Sequence, residues 1–127
     1  MSEKLGEVTL NLLRVVTGLL FLPHGAQKLF GALGGEAVER MSLLGLAGVL
    51  EFFGGILILF GLFTRPVALV LSGQMAVAYW MAHAPRGGLP IANGGELAVL
   101  YCFVFLFLFA NGGGGFSVDG WLRRRKS

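Results

Sequence analysis

Three side chains set in otherwise apolar stretches could handle a proton. His24 stands in "LFLPHGAQKLF" (residues 20–30), Glu51 in "LLGLAGVLEFFGGILILFGLF" (residues 43–63), and Tyr79 in the segment that opens at Pro66. A carboxyl group in hydrocarbon costs about 2.5–3.5 kcal/mol on insertion scales, so Glu51 needs a partner or a task. His24 is the natural partner, because an imidazole beside a carboxyl can exchange a proton near neutral pH. Lys28, one turn beyond His24, adds a hydrogen-bond donor, and Glu96 and His83 lie further along the chain.

Other chemistries find little support. Cys102 is alone, so there is no CxxC pair and no resolving thiol unless a second subunit supplies one. His24 and His83 could face each other across a haem, but two histidines without further ligand context do not make that case. The sequence holds no Walker loop, no dinucleotide fingerprint and no metal-ligand cluster.

The elements that must hold these residues are membrane helices. Of the 127 residues, 55% are hydrophobic and 13% charged, whereas a soluble domain carries about 25% charged residues. The mean hydropathy is +0.76. Several segments are apolar all round for close to the roughly 20 residues that a hydrocarbon core demands. The expectation is an all-α fold, a single domain of four transmembrane helices at about 8–30, 43–63, 66–84 and 96–110, with an amphipathic, basic tail over 111–127. Pro66 can open the third helix, since the first turn has no amide to lose, and "PRGGLPIANGG" breaks the chain before Glu96. The first span is too long for a removable signal sequence, carries Arg14 and is followed by no small-x-small cleavage pattern.

In the fourth span Phe103, Phe105, Phe107 and Phe109 alternate as in a strand. An unpaired strand cannot cross lipid, because its backbone polar groups would have no partners, and a helix is expected. The tail "FSVDGWLRRRK" places Trp121 beside four cations, which suits the polar edge of a bilayer and reads as a membrane address rather than a nucleic-acid site.

Lys4, Arg65, Arg123, Arg124, Arg125 and Lys126 fall on one side of this arrangement, and Lys28, Arg40 and Arg86 on the other. The larger count faces the cytoplasm. Both termini are therefore expected inside, the loops 31–42 and 85–95 outside, and the helices in an up-down-up-down bundle. In the first span Glu7, Leu10, Arg14, Thr17, Phe21, His24 and Lys28 recur at steps of three and four, a stripe that should face the bundle interior. Pro23 is expected to open a kink there. At about 1.5 Å per residue, His24 lies roughly 9 Å from the outer end, Glu51 roughly 12 Å and Tyr79 roughly 8 Å.

Plainer roles compete with function at each position. Lys28, His83, Arg86 and Glu96 sit where snorkelling to the water boundary would account for them, and Tyr79 with Trp80 could belong to an aromatic belt. Arg14, in the inner half, is expected to reach lipid phosphates or Asp119. Gly48, Gly54 and Gly61 share the Glu51 side of the second span, where small residues let helices approach closely.

The order of "LLRVVTGLLFLPHGAQKLFG", "LEFFGGILILFGLFTRPVAL", "NGGELAVLY" and "GGGGFSVDGW", from about Leu12 to Trp121, resembles the DoxX family of small bacterial membrane proteins. The resemblance implies a four-helix membrane bundle in the bacterial inner membrane. It marks Arg14, His24, Gly25, Lys28, Glu51, Gly61, Arg65, Glu96, Ser117 and Asp119 as motif positions. It also implies an association with membrane oxidoreductases, including thiosulfate:quinone oxidoreductase and a terminal quinol oxidase. The expected function is thus a membrane subunit of a quinone-linked redox complex rather than a self-sufficient enzyme. Glu51 and His24 would exchange protons, Lys28, Tyr79, Arg14 and Glu96 would line a quinone or polar pocket, and a partner subunit would supply electrons. Two alternatives are a non-catalytic scaffold and a small transporter, the latter because Arg14, His24, Lys28 and Glu51 are loosely echoed by Arg65, His83, Arg86 and Glu96. Self-association is also expected, since four short helices enclose little volume.

Overall fold

The computed structural model describes residues 3–31 and 43–126. The outer loop expected over 31–42, with Arg40, lies outside the described residues except for Gly31. Six α-helices follow in order: α1 (Glu3–Phe30), α2 (Leu43–Phe60), α3 (Thr64–Ala78), α4 (Pro90–Asn93), α5 (Glu96–Asn111) and α6 (Val118–Lys126). A π turn (Tyr79–His83) and a 3-10 turn (Ala84–Arg86) extend α3. The described residues contain no strand, and the alternating phenylalanines of α5 are helical: Phe105 is buried, while Phe103, Phe107 and Phe109 are exposed.

Element ends differ from the hydropathy reading where backbone geometry intervenes. Polar Glu3 and Glu7 join α1 because a helix extends past the hydrocarbon limit at little cost, and α1 runs unbroken through Pro23. The α2 helix stops at Phe60, since Gly61 (φ 71°) and Phe63 (φ 52°) take the left-handed conformation and reverse the chain into α3.

Glycine decides how the first two helices meet. Gly18 faces Leu59 and Gly55, Gly25 faces Phe52 and Glu51, and Gly48 faces Lys28 and Leu29. Numbers fall along α2 as they rise along α1, so the pair is antiparallel. A methyl group on Gly18 would sit 2.7 Å from the Leu59 amide nitrogen, and one on Gly25 would strike the Phe52 backbone. Such backbone contact gives dense dispersion without a long side chain to order. Gly54 packs on Leu71 of α3, and Gly61 serves both the turn, through its positive φ, and a close contact with Arg14 of α1 and Ser117.

The α3 and α5 helices form the second antiparallel pair. Ser72 Oγ donates to the Cys102 carbonyl at 2.8 Å, Thr64 lies by Gly113, and Tyr79 lies by Gly95. Phe21 binds the two pairs together, meeting Tyr101 and Phe105 edge-on at 5.1 and 5.0 Å between ring centres. Each such contact adds about 0.5–1.5 kcal/mol beyond burial. Ile58, Ala68, Leu71, Met75 and Leu108 complete the core.

The outward faces are apolar. Leu19, Leu20, Val70, Val77, Leu100 and Phe103 are all exposed, which water would penalise and acyl chains would not. By length and composition, α1 and the segment Thr64–Arg86 can each cross a bilayer, and Gly45–Phe60 and Glu96–Asn111 are shorter apolar helices.

A polar clamp closes the end opposite His24. Arg14 is buried, and its guanidinium donates to the Gly113 carbonyl (2.5 Å), the Phe116 carbonyl (2.7 Å) and Asn11 Oδ1 (3.2 Å). Its hydrogen bonds go to these nearer acceptors of the folded-back chain, and Asp119 acts on it through charge rather than through a hydrogen bond. Asp119 instead accepts from the amides of Phe63 (2.8 Å) and Thr64 (2.9 Å), capping α3 from another helix. Glu7 accepts from the Gly115 amide, so α6 is docked rather than trailing.

Replacing Gly25 by leucine should force α1 and α2 apart and destabilise the protein by about 1–3 kcal/mol, read as the midpoint of denaturant-induced unfolding in detergent. Asp119→Ala should cost about 1 kcal/mol and speed tryptic cleavage at Arg123–Arg125, a more local signature.

Candidate functional site

At the other end of α1, one more turn of helix brings the stripe to His24 and Lys28. Both are half-buried, as expected from the inward direction set by buried Arg14, Thr17 and Phe21. Gly25 brings α2 close enough for Glu51 to face this stripe, and Glu51 is itself buried.

The ion pair formed there differs from the one expected. Lys28 Nζ lies 2.5 Å from Glu51 Oε2 and 2.7 Å from Oε1, taking both carboxylate oxygens. His24 holds no such bond and is packed among aromatic rings, 6.4 Å from Phe21 and 6.3 Å from Tyr101 between ring centres. The reason is charge and reach. Lys28 sits one turn above, and its flexible stem bends down to bring a full positive charge to a carboxylate that burial would otherwise leave unpaired. The lysine is therefore not merely snorkelling to the boundary.

Glu51, His24 and Lys28 nevertheless share one space. They line a cavity of about 270 Å³ together with His83 and Tyr101, over an apolar floor that includes Phe21, Met75 and Ala98. The volume is just below the roughly 300–1,000 Å³ of small-molecule pockets. Ammonium, carboxylate, two imidazoles and a phenol converge from α1, α2, the π turn and α5. Such a wall can donate hydrogen bonds to a carbonyl and exchange protons with it.

Three expected residues lie elsewhere. Tyr79 does not line this cavity: its hydroxyl accepts from Asn93 Nδ2 at 3.1 Å, and its ring packs where Gly95 has no side chain. Buried Asn93 also donates to the Gly87 carbonyl (3.0 Å) and accepts from the Gly95 amide (2.9 Å), fixing the loop between the 3-10 turn and α5. Arg14 belongs to the clamp, ten residues and so about 15 Å along α1 from His24. Glu96 is exposed at the first position of α5, beside a separate groove with Pro90 and Phe103, where the positive end of the helix dipole favours it.

His83 and Tyr101 take their place. The π turn carries the Ala84 amide to the Tyr79 carbonyl, shifting the register just before Pro85 removes a donor. His83 Nδ1 then lies 3.4 Å from the Asn93 carbonyl, with the ring beside the cavity. Tyr101 was hidden by the phenylalanine alternation, although Ala98, Tyr101, Phe105 and Leu108 form a buried stripe at steps of three and four. The described residues include no group of three or more His, Cys, Asp or Glu placed to hold a metal ion.

Helices that turn apolar faces outward around a polar cavity define a helical membrane protein. The family model for DoxX matches residues 9–84. A Haemophilus influenzae protein, described as uncharacterized, is 42% identical over 124 residues, covering 92% of this chain and 92% of its own. The Escherichia coli "Inner membrane protein YqjF" is 28% identical over 140 residues, 97% of this chain and 98% of its own. A Bacillus subtilis protein named "Putative oxidoreductase CatD" is 34% identical over 73 residues, 52% of this chain and 53% of its own. No solved structure matches the chain. The chain belongs to the DoxX family of membrane proteins.

Lys28→Met should destabilise the protein by about 3 kcal/mol, the low end for an ion pair broken from one side, because Lys28 is 30% exposed whereas Glu51 is 4% exposed. The double variant Lys28→Met with Glu51→Leu should recover most of that loss, as measured by unfolding in detergent.

Proposed function

We propose that this protein is a membrane subunit of a quinone-linked redox complex, and that the cavity beside the Lys28–Glu51 pair takes the quinone headgroup. The observation that carries this reading is the wall itself: two donors and two imidazoles over an apolar floor. A quinone has two carbonyl acceptors on a flat ring. Lys28 and the Tyr101 hydroxyl donate to them, and Phe21 and Met75 cover the ring. Reduction to the quinol takes two electrons and two protons; His24 and His83 exchange the protons, with Glu51 relaying through its contact with Lys28. No electron-carrier motif occurs in the sequence, so a partner protein supplies the electrons. The name given to CatD supports an oxidoreductase setting.

In this reading α1, α2, α3 and α5 cross the bacterial inner membrane up-down-up-down, with both termini cytoplasmic. The antiparallel helix pairs, the excess of Lys and Arg at the α6 end and the name of the YqjF relative support it. Self-association or a companion subunit covers the remaining apolar faces.

Glu51→Gln should lower quinone-dependent turnover in membranes at least tenfold at unchanged protein level, and Tyr101→Phe should weaken binding of a short-chain quinone to the purified protein roughly 3–10-fold. Unchanged turnover and binding in both variants would remove the proposal, and absence of quinone binding in the parent protein would leave a scaffold role in its place.

A further inference from the structure

The end of the molecule that carries the Arg14 clamp also carries two grooves that meet. The first lies between the start of α3, the glycine segment after α5, and α6. It measures about 370 Å³ and is lined by Arg65, Arg123 and Lys126 against a single carboxylate, Asp119. Asp119 is already committed, since its oxygens accept from the Phe63 and Thr64 amides. It caps the α3 N-terminus, and three cations to one carboxylate give the groove its electrostatic character. All three are exposed.

The second groove, of about 390 Å³, runs between α2 and α3 and is apolar throughout, with Phe53, Leu57 and Val70 along its walls. Phe63 and Pro66 border both grooves. From Val49 to Leu57 the apolar groove follows α2 for about 12 Å. Gly54 keeps its floor low, because any larger residue there would press on Leu71.

A cationic recess continuous with an apolar channel parallel to the helices has the polarity of one kind of molecule. We infer that this is a phospholipid site for an anionic lipid of the leaflet at this end, with its phosphate between Arg65 and Lys126 and an acyl chain along the α2–α3 groove. Clustered Lys and Arg at a membrane boundary attract anionic headgroups, and arginine matches phosphate oxygens with paired donors. Exposed Phe63, Phe116 and Trp121 ring the same end, where amphipathic aromatic residues sit at headgroup depth. Arg125 lies over the Trp121 ring at 5.3 Å and Arg124 donates to the Gly115 carbonyl, so these two cations are occupied away from the recess. The site is remote from the quinone cavity and independent of that function.

The test is native mass spectrometry of the full chain released from nanodiscs of phosphatidylcholine with one-fifth phosphatidylglycerol. One retained phosphatidylglycerol per chain is expected. Arg65→Gln with Lys126→Gln should lower its occupancy at least fivefold, and Arg65→Lys with Lys126→Arg should restore it. Val70→Trp, which fills the apolar groove without changing charge, should lower occupancy by a similar factor. Millimolar inorganic phosphate should not displace the lipid. Retention of phosphatidylcholine in equal amount, full occupancy in the glutamine or tryptophan variants, or displacement by phosphate would each overturn the inference. Unfolding midpoints of the variants within a few degrees of the parent show that lost occupancy is not lost fold.

Discussion

A buried carboxylate at a helix contact is the constraint from which the His24 end of this protein follows. Glu51 lies where Gly25 lets α2 touch the α1 backbone, and at that depth the acid is tolerable only with a counter-charge. Lys28 provides it by bending inward and taking both oxygens. The pair thereby becomes a fixed dipole on the wall of a cavity. Among the described residues the histidines contact aromatic rings and, for His83, a peptide carbonyl.

The two ends of the molecule solve opposite problems with similar means. At one end charge must be held inside next to a space a ligand can enter, and a lysine–glutamate pair does so. At the other end a buried charge is met through Nη1 and Nη2 of Arg14 by two backbone carbonyls and Asn11, and the missing side chain of Gly113 allows that approach. Between them the Phe21, Tyr101 and Phe105 cluster separates the polar regions and joins the two helix pairs. Tyr101 belongs to both parts, with its ring in the core and its edge on the cavity.

Much of this was readable from residue order. Hydropathy marked the apolar helices, the argument against a lone strand in lipid settled the phenylalanine-rich segment, and the three-and-four spacing of α1 named the inward face that carries Arg14, His24 and Lys28. What escaped has a physical cause in each case. Lysine has enough reach to choose between water above and a carboxylate below, and spacing alone cannot express that choice. Tyr101 shared its segment with phenylalanines at every second position, so a period of two masked the helical stripe. The π turn at Tyr79–His83 altered the register by which depth was counted, turning Tyr79 toward Asn93 and His83 toward the cavity. Arg14 meets partners a hundred residues away, a distance over which no local pattern carries information.

That last contact bears on biogenesis. As α1 emerges from the ribosome and enters the bilayer, the carbonyls that will neutralise its guanidinium have not been synthesised, and an arginine stranded in a span resists insertion. The charge buried in the first helix is thus matched by backbone made about a hundred residues later.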